Sequence, residues 1–216
     1  MTSLYKPLIF TLLLLAALHP ARSQSFSNAG KEFWIPFSYH FAMNPAIGGE
    51  SVSMSIYVTS NVNTSFSVEI FGLRILQPQR SITAGETVKI DIPTPTSFYL
   101  DGEKTFSDRI FHVLADDPVI VYSYISRGAQ SAATVCLPVQ LLGKEYYSMN
   151  FTQKSNDDFS HSYFTIIAVE DGITEVDITP SAKTSTGRPA GLPFRVTLSK
   201  GQAYQVLGYI DAIKDL

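Results

Sequence analysis

The sequence predicts an all-β chain of antiparallel, sandwich-like architecture. Apolar and polar residues alternate with period two in several segments, as at Val52, Met54, Ile56 and Val58, the pattern of a half-buried strand. No stretch of twelve or more residues carries a helical period. Turn signals built on Gly, Pro, Asn and Asp recur between the alternating segments. Roughly ten to fourteen short strands fit this spacing. A sandwich houses them more economically than a propeller, because two four-strand units cannot close a ring.

Residues 1–23 stand apart from that pattern. Lys6 precedes an apolar core of eleven residues, 8–18, broken only by Thr11, and Ala21-Arg22-Ser23 then sets small residues where a signal peptidase cuts. Eleven residues fall short of the roughly 20 that span a bilayer. The segment therefore reads as a cleaved signal peptide, with residues 24–216 as the mature domain, secreted or at the cell surface. No Cys follows the apolar core, which argues against a lipid anchor.

Losing Lys6 and Arg22 leaves 14 basic against 19 acidic side chains, a net charge of −5 without any block of like charge. That balance offers no electrostatic footprint for nucleic acid or an acidic membrane surface. Cys136 is the only cysteine, so no intrachain disulfide forms, which tilts the source towards a bacterial exported protein. It lies between Val135 and Leu137 with no adjoining His or acid, and reads as a core thiol rather than a nucleophile.

In chain order, Gly30 marks a turn, and Phe33, Trp34, Ile35 and Phe37 suit a strand with Pro36 on an edge or bulge. Trp34, the only tryptophan, reads as a core anchor. Residues 38–50 form a loop. Residues 51–59 and 66–70 alternate about a polar turn and read as a β-hairpin, and a further strand over 87–92 follows the turn at Gly85. Residues 109–115 give another strand, with Ile110 and His112 on one face and Phe111 and Val113 on the other.

The centre of the chain is residues 111–143. Asp116-Asp117-Pro118 begins a turn, and Val119-Ile120-Val121-Tyr122 reads as a strand buried on both faces, extended by Tyr124 and Ile125. A polar turn over 126–131 leads to a second apolar segment, 132–142, and residues 145–151 look strand-like. The final third then restates the first: strands over 163–170 and 174–178 about a tight turn at Asp171-Gly172, and strands at 194–198 and 204–208 about Lys200-Gly201. Gly85 and Gly201 are 116 residues apart, which points to an internal duplication into two related β-units. The chain stops after Leu216 without a terminal signal, so the domain is expected to be incomplete at that end.

Catalytic motifs are missing: no Gly-x-Ser-x-Gly, His-Glu-x-x-His, phosphate-binding glycine loop or dinucleotide fingerprint occurs. The mature histidines, His40, His112 and His161, fall in different segments. Asp157-Asp158 with His161 reads as a solvated acidic loop rather than a metal site, lacking the spacing of a calcium loop. Neither catalytic nor metal nor cofactor residues are assigned. Asn63-Thr64-Ser65 and Asn150-Phe151-Thr152 match the glycosylation acceptor pattern.

Several segments, in order, are similar to the amino-terminal domain family of IgG Fc-binding protein in its bacterial surface or secreted form. They are Gly30-Lys31-Glu32-Phe33-Trp34, Asp117-Pro118-Val119-Ile120-Val121-Tyr122, Leu137-Pro138-Val139, Gly143-Lys144-Glu145-Tyr146 and Ile167-Ala168-Val169-Glu170-Asp171. Asp177-Ile178-Thr179-Pro180 and the run from Gly187 through Phe194 to Lys200-Gly201-Gln202-Ala203-Tyr204-Gln205-Val206 complete the series. The resemblance implies a non-catalytic β module that heads a longer protein with further domains beyond it. The leading expectation is a binding or adhesion module for a protein or glycan partner. An exported glycan hydrolase would need two facing carboxylates within about 10 Å, and a structural spacer would expose no apolar patch beyond a few hundred Å².

Overall fold

The computed structural model describes residues 27–43, 52–150 and 160–210. Among them are antiparallel strands and short 3-10 turns, without an α-helix. The signal segment and the Asp157-Asp158 pair lie outside the described residues. No described helix is long and apolar enough to cross a membrane.

The first unit is built from β1 (Gly30–Pro36), β2 (Val52–Thr59), β3 (Thr64–Ile70), β4 (Arg74–Ile82), β5 (Thr87–Asp91), β7 (Ile110–Arg127) and β8 (Gln130–Val135). β7 organises it. Residues 110–115 of β7 run between β3 and β1, and residues 120–127 run between β2 and β8. The change of neighbours falls at Asp116-Asp117-Pro118, where β1 register jumps from Glu32 opposite Leu114 to Gly30 opposite Val119. The turn expected there is instead a bend inside one continuous strand. Pro118 has no N–H to donate, and the bend places it where no ladder bond is needed.

Partner choice differs from expectation in two further places. β2 and β3 do not form a hairpin; β7 lies between them, in the order β4-β3-β7-β2-β5. β4, over residues to which the alternation assigns no strand, is a nine-residue strand on the sheet edge, the position that tolerates its Pro78. Residues 132–142 do not form an apolar strand buried in the sheet, since β8 is exposed along its whole length. Residues 145–150 form no strand, and Tyr146, Tyr147 and Met149 are exposed.

The inner faces close a core. Met54, Ile56 and Val58 of β2, Phe66, Val68 and Ile70 of β3, and Phe111, Val113, Val119 and Val121 of β7 are each 0–1% exposed. Burial of each such side chain contributes about 1.5–3 kcal/mol. Trp34 is also buried, in a neighbouring cluster with Leu100, Phe106, Ile110 and Ala203. Both faces of residues 110–113 are covered.

The second unit comprises β9 (Tyr163–Ile167), β10 (Ile173–Ile178), β11 (Phe194–Ser199) and β12 (Ala203–Leu207). β9 pairs with β12 and β10 with β11, as β2 pairs with β5 and β3 with β4. β9 and β10 are not the hairpin that Asp171-Gly172 suggested. The two units share their Gly turn bond for bond. Gly85 N donates to Ser60 O at 2.7 Å and Gly201 N to Ala168 O at 2.8 Å, the acceptors directly following β2 and β9. Thr83 N donates to Glu86 Oε2 at 2.9 Å, and Ser199 N to Gln202 Oε1 at 2.8 Å. The glycines have φ of +83° and +77°.

Two devices lock the units together. β6 (Thr105–Phe106) joins the edge of β12. Gln205 of β12, fully buried, accepts from Tyr39 N at 2.7 Å and donates to Leu100 O and Gly102 O, both at 3.0 Å. A buried amide with its groups satisfied fixes position as well as adding stability.

Two glycines are required by close approach. A Cβ on Gly30 would lie 2.2 Å from Pro138 Cβ, and one on Gly201 would lie 2.1 Å from the Phe71 ring. Gly30→Ala and Gly201→Ala are each expected to lower stability by about 1–3 kcal/mol in chemical denaturation. Gly102→Ala, with nothing within 4 Å of the added carbon, is expected to leave the midpoint unchanged.

Candidate binding surface

Sheet register carries distant residues to one outer face. Ile75 of β4 stands opposite Glu69 of β3, Glu69 opposite His112 of β7, and His112 opposite Trp34 of β1. A second row places Ser67, Leu114 and Glu32 side by side. Residues two apart along a strand share a face, so the rows form one patch graded from exposed Ile75 to buried Trp34.

His112 sits at its centre. Nδ1 lies 3.1 Å from Glu69 Oε1 and Nε2 lies 3.0 Å from Glu32 Oε1. Both contacts are hydrogen bonds only when both ring nitrogens carry protons; a neutral ring donates to one carboxylate. The ring stacks on Trp34 at 4.0 Å with 20° between planes. Trp34 Nε1 donates to the same Glu32 oxygen at 3.0 Å, and Phe71 packs edge-on to the indole at 4.6 Å. The indole thus meets the requirement that a buried Trp N–H find a partner.

Beside this cluster is a half-open cleft of about 210 Å³, lined by Ser67, Glu69, Ile75, Pro78, Gln79, His112 and Leu114. Its apolar rim is exposed, Ile75 by 67% and Leu114 by 46%. One end is framed by polar contacts. Gln79 Nε2 donates to Asp116 Oδ2 at 3.2 Å, Lys31 Nζ donates to Asp116 O, and Asp117 N donates to Thr64 Oγ1 at 2.8 Å.

The sequence motifs singled out earlier disperse. His161 Nδ1 contacts Gly208 O at 2.8 Å and its ring abuts Tyr39. His40 stacks on Phe41, and burial lowers its pKa. No group of three His, Cys, Asp or Glu able to hold a metal occurs among the described residues. Asn63 is exposed and its Oδ1 accepts from Ala84 N at 2.9 Å; Asn150 is exposed, with Phe151 and Thr152 outside the described residues. Cys136 is half-buried against the core, and burial pushes its thiol up to about 11.

Sequence reasoning missed Glu103. Its side chain is buried; Oε2 accepts from Ser185 Oγ at 2.8 Å and Thr186 N at 3.1 Å, and Oε1 lies 3.8 Å from Arg188 Nε without a hydrogen bond. The carboxylate ties the loop between β10 and β11 to the segment just before β6, and nothing local to Glu103 signals a partner more than 80 residues away.

A family model described as IgGFc binding protein matches residues 132–215. The resemblance drawn from the sequence is borne out over that segment, which includes the pieces from Leu137 to Val206 and excludes those from Gly30 to Tyr122. No curated protein and no solved structure matches the chain.

A thiol raised from 9.0 to about 11 holds about a hundredfold less thiolate at neutral pH than an unshifted one. Alkylation of Cys136 by iodoacetamide in the native protein at pH 8 is expected to be slower than in the urea-unfolded chain by about that factor, and to accelerate as pH approaches 11.

Proposed function

We propose that this chain is an exported, non-catalytic binding module, displayed on a bacterial surface or secreted, and that it recognises a protein partner. The observation that carries this reading is the outer face of β3, β4 and β7. There Ile75 and Leu114 are 67% and 46% exposed around a cleft with acceptors at Glu69 and Gln79, on strands whose opposite face is core. Apolar anchors ringed by polar groups on a rigid scaffold are the composition of a protein interface. The family description supports a binding role, and the apolar core at residues 8–18 supports export.

The competing readings fit less well. Glu32 and Glu69 face each other across the His112 ring, which fills the space a sugar and water would need between acid and base. A spacer has no use for an exposed apolar cleft.

Immunoglobulin, mucin glycoprotein and deglycosylated mucin, each immobilised, form the first panel for biolayer interferometry. Saturable binding to at least one protein is expected. Ile75→Asp and Leu114→Asp are each expected to weaken it by about tenfold or more, with the thermal midpoint retained. Absence of binding to every protein, or release of reducing sugar from mucin glycans, overturns the reading.

A further inference from the structure

The His112 ring is flanked by more negative charge than a neutral imidazole can bond. Glu69 Oε1 and Glu32 Oε1 stand 3.1 and 3.0 Å from its two nitrogens, and an ionised carboxylate only accepts. The side chain is 9% exposed and one face lies on the Trp34 indole, so the ring has little room to turn away. Loss of one proton leaves a bare nitrogen lone pair facing a carboxylate oxygen, which is a repulsive contact.

The two carboxylates are not equally free to leave. Glu32 Oε1 also accepts from Trp34 Nε1 at 3.0 Å. On the same side stands Lys200, in the turn between β11 and β12, with a pKa raised first by its hydrogen bond to Asp171 and then by the charges of Asp171, Glu32 and Glu170. Glu69 has no second hydrogen-bond donor among the described residues, is 40% exposed and lines the cleft. The remaining neighbours bring no charge to the ring: Phe71 packs edge-on at 6.0 Å, and β4 contributes Ile75, Pro78 and Gln79 to the cleft. Further along β7, Asp116 is engaged by Gln79.

We propose that His112 is a proton-operated catch for the Glu69 carboxylate. With both nitrogens protonated, the ring bridges Glu32 and Glu69, and the cleft presents a carboxylate neutralised by imidazolium. With one proton lost, the ring keeps its Nε2–H on Glu32, and the bare Nδ1 turns Glu69 out towards the cleft and solvent. The bridge is complete at the acid end of the range from about pH 5 to 8, in which a histidine ordinarily changes charge, and is lost towards the alkaline end. Rising pH therefore removes a side-chain tie between β3 and β7 and sets a free negative charge beside Ile75 and Leu114. The catch regulates the surface proposed above as the binding site and matters through that reading, whereas its own test needs no partner.

Nitrogen-15 and carbon-13 NMR of the full chain, recorded at intervals from about pH 5 to 8, tests this, with the His112 ring identified by its contacts to the Trp34 indole. Both ring nitrogens are expected to carry protons at the acid end, and Nδ1 alone to lose its proton towards the alkaline end. The Glu69 carboxyl carbon is expected to shift over the same pH range. Glu69→Gln, which removes one of the two flanking charges, is expected to move the ring transition lower by about one pH unit. Four outcomes overturn the proposal: a ring that holds the same number of protons throughout, a proton retained on Nδ1 in place of Nε2, a Glu69 signal that ignores the ring, and an unmoved transition in Glu69→Gln.

Discussion

Backbone pairing along β7 is the constraint on which the first unit rests. A strand inside a sheet must satisfy its N–H and C=O groups on both sides, and β7 does so on either side of its bend, with β1 and β3 along residues 111–114 and with β2 and β8 along residues 122–127. β2 and β3 reach β5 and β4 on their other edges, so removing β7 would leave four strands in two unconnected pairs. The bend at Asp116-Asp117-Pro118 lets one strand serve both pairs, and the exposed carboxylates there cost little because that short stretch faces solvent.

The same bend sets up the outer surface. It holds Leu114 and His112 in line with Ser67 and Glu69 on one side and with Glu32 and Trp34 on the other. The His112 ring ties three strands through two carboxylates and an indole. The cleft lies directly beside this junction.

Strand positions were legible in the sequence because alternation with period two reports which face of a residue is buried. Strand neighbours were not, because the same alternation is silent on which edge a strand uses. That is why β2 with β3, and β9 with β10, looked like hairpins: each pair is adjacent in the chain and joined by turn residues, and pairing with a strand that follows later in the chain, β7 for β2 and β3 and β12 and β11 for β9 and β10, leaves no local trace. β4 was overlooked because Pro78 interrupts its pattern. The duplication was visible in the spacing of Gly85 and Gly201, since a turn with positive φ demands glycine in both copies. The site was less legible. Trp34 and His112 stood out singly, but Glu32 and Glu69 are separated from His112 by 80 and 43 residues, and only the register of a folded sheet brings them together.

The late arrival of β7 also governs how the chain reaches its native state. In chain order β2, β3, β4 and β5 all precede β7, and without it those strands form only two isolated antiparallel pairs. Isolated pairs of strands are marginal in water, and contacts that close loops of 50 residues or more form slowly. The core of the first unit therefore closes only when β7 joins the two pairs.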